Sequence, residues 1–104
     1  MAWIMLVIAG ILEVVWAYTM KLSEGMTRPL YAVVTIVVVV VSFILLSLSM
    51  RSLPLGTAYT IWTGIGAVGS FAAGLYFLHE PASLMRIAAA VIIVIGLVMM
   101  KLAS

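Results

Sequence analysis

The chain has no cysteine and very few charges. Only 8% of its 104 residues are charged, whereas ordinary soluble domains carry about 25%. The absence of cysteine excludes disulfides and thiolate chemistry. With one histidine and three scattered carboxylates we expect no metal site. The five basic residues form no cluster, and the net charge is +2, so nucleic acid is not an expected partner.

The sequence also lacks the motifs of an enzyme. No nucleophile–base pair or cofactor motif is recognisable. The glycines of Gly64-Ile65-Gly66 are not followed by Lys-Ser or Lys-Thr, so they do not form a phosphate-binding loop. We therefore predict a protein that is not an enzyme and uses no cofactor.

Long hydrophobic runs dominate the chain, of which 67% is hydrophobic. A small soluble domain leaves much of its area exposed and cannot hide so much apolar surface, so the surrounding solvent must be lipid. Four apolar runs, at 2–20, 30–50, 55–78 and 84–100, are each long enough to cross a bilayer. We predict one all-α membrane domain over 1–104, in which even the β-branched Val37–Val41 run is helical, because lipid leaves no other partner for the backbone.

The loop charges leave the orientation open. Arg51 and Lys101 lie on one side of the predicted bundle, and Lys21, Arg28 and Arg86 lie on the other. One interpretation is that the chain inserts in both orientations and pairs as an antiparallel dimer. The other is that the bias is weak and another feature decides. A homo-oligomer is expected in either case, since four helices do not easily enclose a polar path.

Glu13 is the one charged residue before Lys21 and lies inside the first apolar run. A carboxylate at membrane depth costs about 2.5–3.5 kcal/mol on insertion scales, so it indicates a function, namely the binding of a cation, a proton or both in turn. On a helix, Gly10 and Trp16 share its face. The small residue leaves room for a ligand or a close partner, and the indole adds an N–H donor.

Three polar or aromatic residues elsewhere are candidate neighbours of Glu13. Ser42 is placed to donate a hydrogen bond to the carboxylate, or else to serve as an ordinary helix contact. Tyr59 and Trp62 share a face of the third run, where their rings can face a cation, although packing or interfacial anchoring would explain them too. Gly64 and Gly66 allow close packing or bending of that helix.

These residues suggest a mechanism of exchange. Desolvation disfavours an ionised carboxyl, so Glu13 can hold a proton and release it when a cation arrives. If access changes only when the site holds one or the other, a proton gradient drives cation export without ATP. This antiport is a hypothesis whose testable content is competition at Glu13.

The chain resembles the small multidrug resistance transporters over essentially its full length. The resemblance lies in the four runs, in Glu13, and in the segment GTAYTIWTGIG from Gly56 to Gly66. It looks most like the guanidinium-exporter subtype, whose first helix reads Glu-Val-x-Trp, here from Glu13 to Trp16. Ser42 and the terminal Lys101 also fit that subtype.

The resemblance implies an antiparallel, dual-topology homodimer in a bacterial inner membrane that exchanges protons for guanidinium and for some small or single-tailed quaternary ammonium ions. It assigns Glu13 as the shared proton and substrate site. Trp16 and Ser42 become its orienting partners, while Tyr59 and Trp62 line the pocket.

The resemblance also implies that Gly10 lies next to the pocket and that the fourth helix makes much of the dimer contact. In this chain that contact would use Ala88, Ala89 and Gly96.

Three other interpretations remain. A broad quaternary ammonium or multidrug exporter of the same fold is the first, and the bulky Trp16 argues against it. A subunit of a heteromeric pair is the second, and the nearly balanced loop charges argue against that. A channel, the third, would conduct without proton exchange.

Overall fold

The computed structural model describes residues 1–103 and contains four α-helices and no strand in that range. They are α1 (Ala2–Leu22), α2 (Pro29–Ser49), α3 (Leu55–Phe77) and α4 (Leu84–Leu102). Each helix is long and apolar enough to cross a membrane. The prediction of an all-α protein with four transmembrane helices is confirmed.

Two helices are longer than the predicted spans, because each includes the lysine before which its span was predicted to end. Lys21 lies inside α1 and Lys101 lies inside α4, each in the last helical turn. A lysine at a helix end keeps its stem along apolar surface while its ammonium reaches the interface, and it interacts favourably with the helix dipole. A charged residue therefore marks the edge of the bilayer without ending the helix.

Residues typical of helix N-termini mark the start of two of the helices. Pro29 occupies the first turn of α2, where its missing N–H removes no helical hydrogen bond. Ser83 caps α4, and its hydroxyl accepts the Arg86 backbone N–H at 3.1 Å.

The helix α1 packs against α2 along a row of buried hydroxyls. Thr35, Ser42 and Ser49 follow one another at seven-residue intervals on α2, and all three are buried. The Thr35 hydroxyl lies 2.6 Å from the Thr19 hydroxyl of α1, and Ser42 donates to the Ala9 carbonyl at 2.8 Å. Small hydroxyl residues let membrane helices approach closely and bond across the contact.

Close approach of α1 and α3 depends on glycine. A Cβ added at Gly10 would lie 2.7 Å from the Ile65 side chain, and one added at Gly69 would overlap Val14. The helix α4 follows on the far side of α3, where Gly64 receives the Leu97 side chain. No α4 residue is buried.

The result is a thin slab with Cα extents of 40 × 34 × 16 Å. Since the Cα atoms of two helices packed side by side already span about 13–15 Å, a Cα extent of 16 Å leaves little depth for an enclosed site within one copy. The buried apolar cluster is correspondingly small, and consists of Leu6, Ala9, Leu46, Ala58, Ile61 and Trp62. Glu13 lies one helical turn from this cluster, on the α3 side of α1.

Candidate functional site

The site is centred on Glu13, near the middle of α1. Its carboxyl group lies against the backbone of α3, since a Cβ added at Gly66 would overlap it. Gly66 therefore provides the space that the carboxyl occupies. The sequence placed Gly66 on α3 for packing or bending, and the structure adds this direct contact with Glu13.

Glu13 and Trp16 both carry unpaired polar atoms. Within residues 1–103, the buried Glu13 Oε2 and the buried Trp16 Nε1 have no hydrogen-bond partner. A buried polar atom without a partner costs about 1–3 kcal/mol, and more when it is charged. The two groups, one an acceptor and the other a donor, share a face of α1. Such unpaired groups are typical of a site that is completed by a ligand or a second chain.

Ser42 connects α1, α2 and α3. Its hydroxyl donates to the Ala9 carbonyl at 2.8 Å and accepts the Trp62 indole N–H at 3.1 Å. The Ser42 hydroxyl has a single proton to donate. In the structure its acceptor is the Ala9 carbonyl, whereas the sequence suggested Glu13. Ser42 is fully buried, and its hydrogen bonds set the position of Trp62 relative to α1.

Trp62 and Tyr59 form an aromatic cluster with Phe43 of α2. Trp62 is 7% exposed, and its ring centroid lies 5.7 Å from Tyr59 and 5.6 Å from Phe43. Tyr59 is 54% exposed and Phe43 is 50% exposed, so two rings of the cluster are accessible in a single copy. The sequence indicated Tyr59 and Trp62 as candidate site residues but not Phe43. The only sequence signal for Phe43 was its position next to Ser42.

The structure separates the predicted glycines by role. Gly10 is buried and faces Ile65, so the space beside it is taken by α3 rather than left open. Gly64 receives Leu97 and acts in the packing of α3 on α4. At Gly96 an added Cβ would meet nothing within 4 Å, which leaves that face of α4 free in a single copy.

The arrangement suits a small organic cation. A carboxylate can accept two parallel N–H bonds from a planar cation, and an exposed aromatic ring such as that of Tyr59 attracts positive charge. The site has no group of three or more His, Cys, Asp or Glu side chains that could hold a metal, as far as residues 1–103 are described. The carboxyl group of Glu13 is the part of this site that can bind a proton or a cation.

A bundle of four spanning helices with one carboxyl at membrane depth defines a membrane transport protein. Comparison with known proteins agrees, because residues 1–95 match the family model described as Small Multidrug Resistance protein. The chain belongs to the small multidrug resistance family, as its sequence indicated.

Its relatives include proteins named guanidinium exporter. The one from Escherichia coli is 49% identical over 104 residues, covering 100% of this chain and 99% of the relative. The one from Yersinia pseudotuberculosis is 51% identical over 104 residues, with both chains fully covered. The one from Citrobacter freundii is 48% identical, with 100% and 99% covered. Since these bacterial relatives are named as exporters, the chain is a multi-pass inner-membrane transporter and not an enzyme.

The double hydrogen bond of Ser42 yields a stability prediction. Ser42→Ala removes the acceptor of the Trp62 N–H and leaves that donor buried without a partner, which should cost about 1–3 kcal/mol of unfolding free energy. Ser47→Ala is the matched control, since Ser47 is exposed on the same helix. Unfolding of both variants in micelles, followed by circular dichroism and tryptophan fluorescence, measures the difference. Equal stability of the two variants would contradict the role given to Ser42.

Proposed function

We propose that the chain is a proton-coupled antiporter that exports guanidinium ions, with Glu13 as the site for which proton and cation compete. The observation that carries the proposal is the buried Glu13 oxygen without a partner in a spanning helix. The names of the relatives support guanidinium as the substrate.

Guanidinium fits the chemistry of the site. It is planar and donates paired N–H bonds in the geometry that a carboxylate accepts. The exposed Tyr59 ring offers a π-face to a cation, and the buried Trp62 ring packs against it. The unpaired Trp16 N–H can donate to the carboxylate once the side chains adjust, which would orient it for the substrate. A quaternary ammonium ion donates no hydrogen bond, so it would rely on the rings alone.

The transport cycle follows from exclusive occupancy. A protonated Glu13 is neutral and has lost the charge that attracts a cation, so each site holds a proton or guanidinium but not both. If the protein changes access only when a site is filled, protons entering the cell drive guanidinium out. The energy source is the proton gradient, and no nucleotide is required.

The functional unit in this proposal is an antiparallel homodimer. A slab 16 Å thick needs a second copy to enclose a polar path, and α4, with no buried residue, offers an unused surface around Gly96. An antiparallel pair would bring two Glu13 side chains to one chamber and would build from two chains the inverted repeat that many transporters contain within one.

Transport is tested by proton-coupled current in liposomes that hold the purified protein. Wild type should give a current on addition of guanidinium, and Glu13→Gln should give none, because its amide cannot exchange a proton. Glu80→Gln removes a carboxylate outside the spanning helices and should retain the current.

Two results would contradict this function. A larger current with a bulky quaternary ammonium than with guanidinium would favour a broad drug exporter of the same fold. No current with either cation, from a folded dimer, would favour a subunit of a heteromeric pair.

Competition is tested by guanidinium binding across a pH series in micelles. Because proton and cation exclude each other, the dissociation constant should rise about tenfold per unit of acidification once Glu13 is mostly protonated. Calorimetry or tryptophan fluorescence measures it, and Glu80→Gln should show the same dependence as wild type. An affinity that stays constant as Glu13 titrates would exclude a shared site.

Dual topology is tested with single cysteines, since the natural chain has none. Ser52→Cys lies in the loop between α2 and α3, and Ala82→Cys lies in the loop between α3 and α4, on the opposite face of the membrane. An impermeant maleimide added outside intact cells should label about half of each variant if the chain inserts both ways. Full labelling of one variant and none of the other would establish a single orientation.

A further inference from the structure

A groove on the outer face of the bundle lies apart from the Glu13 site. It measures about 250 Å³ and runs between the start of α1 and the end of α4, with α3 as its floor. We call it the α1/α4 groove and define it by Trp3, Val7, Ile65, Leu97, Val98 and Lys101. The backbones of α1 and α4 both lie close to α3 but not to each other, which is why the groove exists.

One end of the α1/α4 groove carries a positive charge. The Lys101 ammonium lies 5.5 Å from the centre of the Trp3 ring, a cation–π contact that holds it at the end of the groove. The ion pair of the structure within residues 1–103 is Arg28–Glu24, so no carboxylate in that range pairs with Lys101. An ammonium at the membrane surface, above an otherwise apolar groove, is complementary to an anion that carries a hydrocarbon chain.

We propose that the α1/α4 groove binds an anionic glycerophospholipid. Its phosphodiester pairs with Lys101, and one acyl chain lies along Val7, Leu97 and Val98 below it. Each basic residue near an anionic headgroup contributes about 1 kcal/mol, which gives the site a preference by charge. The lipid would fill the gap that α1 and α4 leave over α3, and this role is independent of the transported substrate.

A second copy of the chain is the other possible occupant, and the helix geometry argues against it. At 3.6 residues per turn, Leu97 and Lys101 lie about 100° and 140° around α4 from Gly96. Gly96 marks the face with open space, where a dimer partner can approach. A partner seated on that face leaves the α1/α4 groove facing lipid.

The headgroup contact is tested by native mass spectrometry of the purified dimer with phosphatidylglycerol and phosphatidylcholine of identical chains. Wild type should retain phosphatidylglycerol preferentially, and Lys101→Gln should reduce that preference about fivefold. Lys21→Gln is the matched control, because Lys21 also ends a helix but lines a different cavity, which it shares with Glu80. Its preference should stay within about twofold of wild type.

The acyl contact is tested by filling the groove. Val98→Trp adds bulk at a half-exposed lining residue and should reduce the retention of both lipids. Val91→Trp is the control, since Val91 is about equally exposed on α4, lies away from the Gly96 face and does not line the groove.

Three outcomes would overturn the proposal. If Lys21→Gln weakens phosphatidylglycerol as much as Lys101→Gln does, the preference is general electrostatics. If Lys101→Gln and Val98→Trp both leave lipid retention unchanged, the groove holds no lipid. If they lower the dimer fraction instead, a second copy occupies it.

Discussion

The close approach of α3 to α1 is the constraint on which the site depends. Glycines at positions 10, 66 and 69 replace side chains along this contact, and at Gly66 the space is filled by the Glu13 carboxyl. Lipid supplies no water to solvate an ionised group, so the surroundings of the Glu13 carboxyl must come from the protein itself. The backbone of α3 covers the Glu13 carboxyl on one side, and within residues 1–103 the Oε2 atom has no hydrogen-bond partner.

Hydroxyl groups complement the glycines on the other side of α1. Thr35 and Ser42 form hydrogen bonds from α2 to α1, whereas α2 and α3 meet through Ser42, Phe43 and Trp62. The polar contacts of the site are therefore few and specific. Packing in lipid lacks the hydrophobic drive available in water, so such hydroxyl contacts and small-residue approaches hold the helices together.

The sequence was enough to predict the fold class, and it made Glu13 the candidate site residue, because both inferences depend on composition along one chain. Glu13 is visible as a lone charge in an apolar run, and loop charges and prolines separate the four spans. The partners across helices were not predictable in the same way. The Ser42 acceptor, the Phe43 contact and the filling of the space at Gly10 by Ile65 depend on how each helix is rotated about its axis. That rotation is set by packing between helices, which one sequence does not specify.

The two lysines inside helix ends have a consequence for how the chain fits its membrane. Because α1 and α4 run in opposite directions, Lys21 reaches one bilayer surface and Lys101 reaches the other. A flexible stem can shorten or extend to follow the local thickness of the bilayer at little cost. Each surface thus meets one of the two lysines, so turning the molecule over exchanges these anchors and changes little in how they hold it.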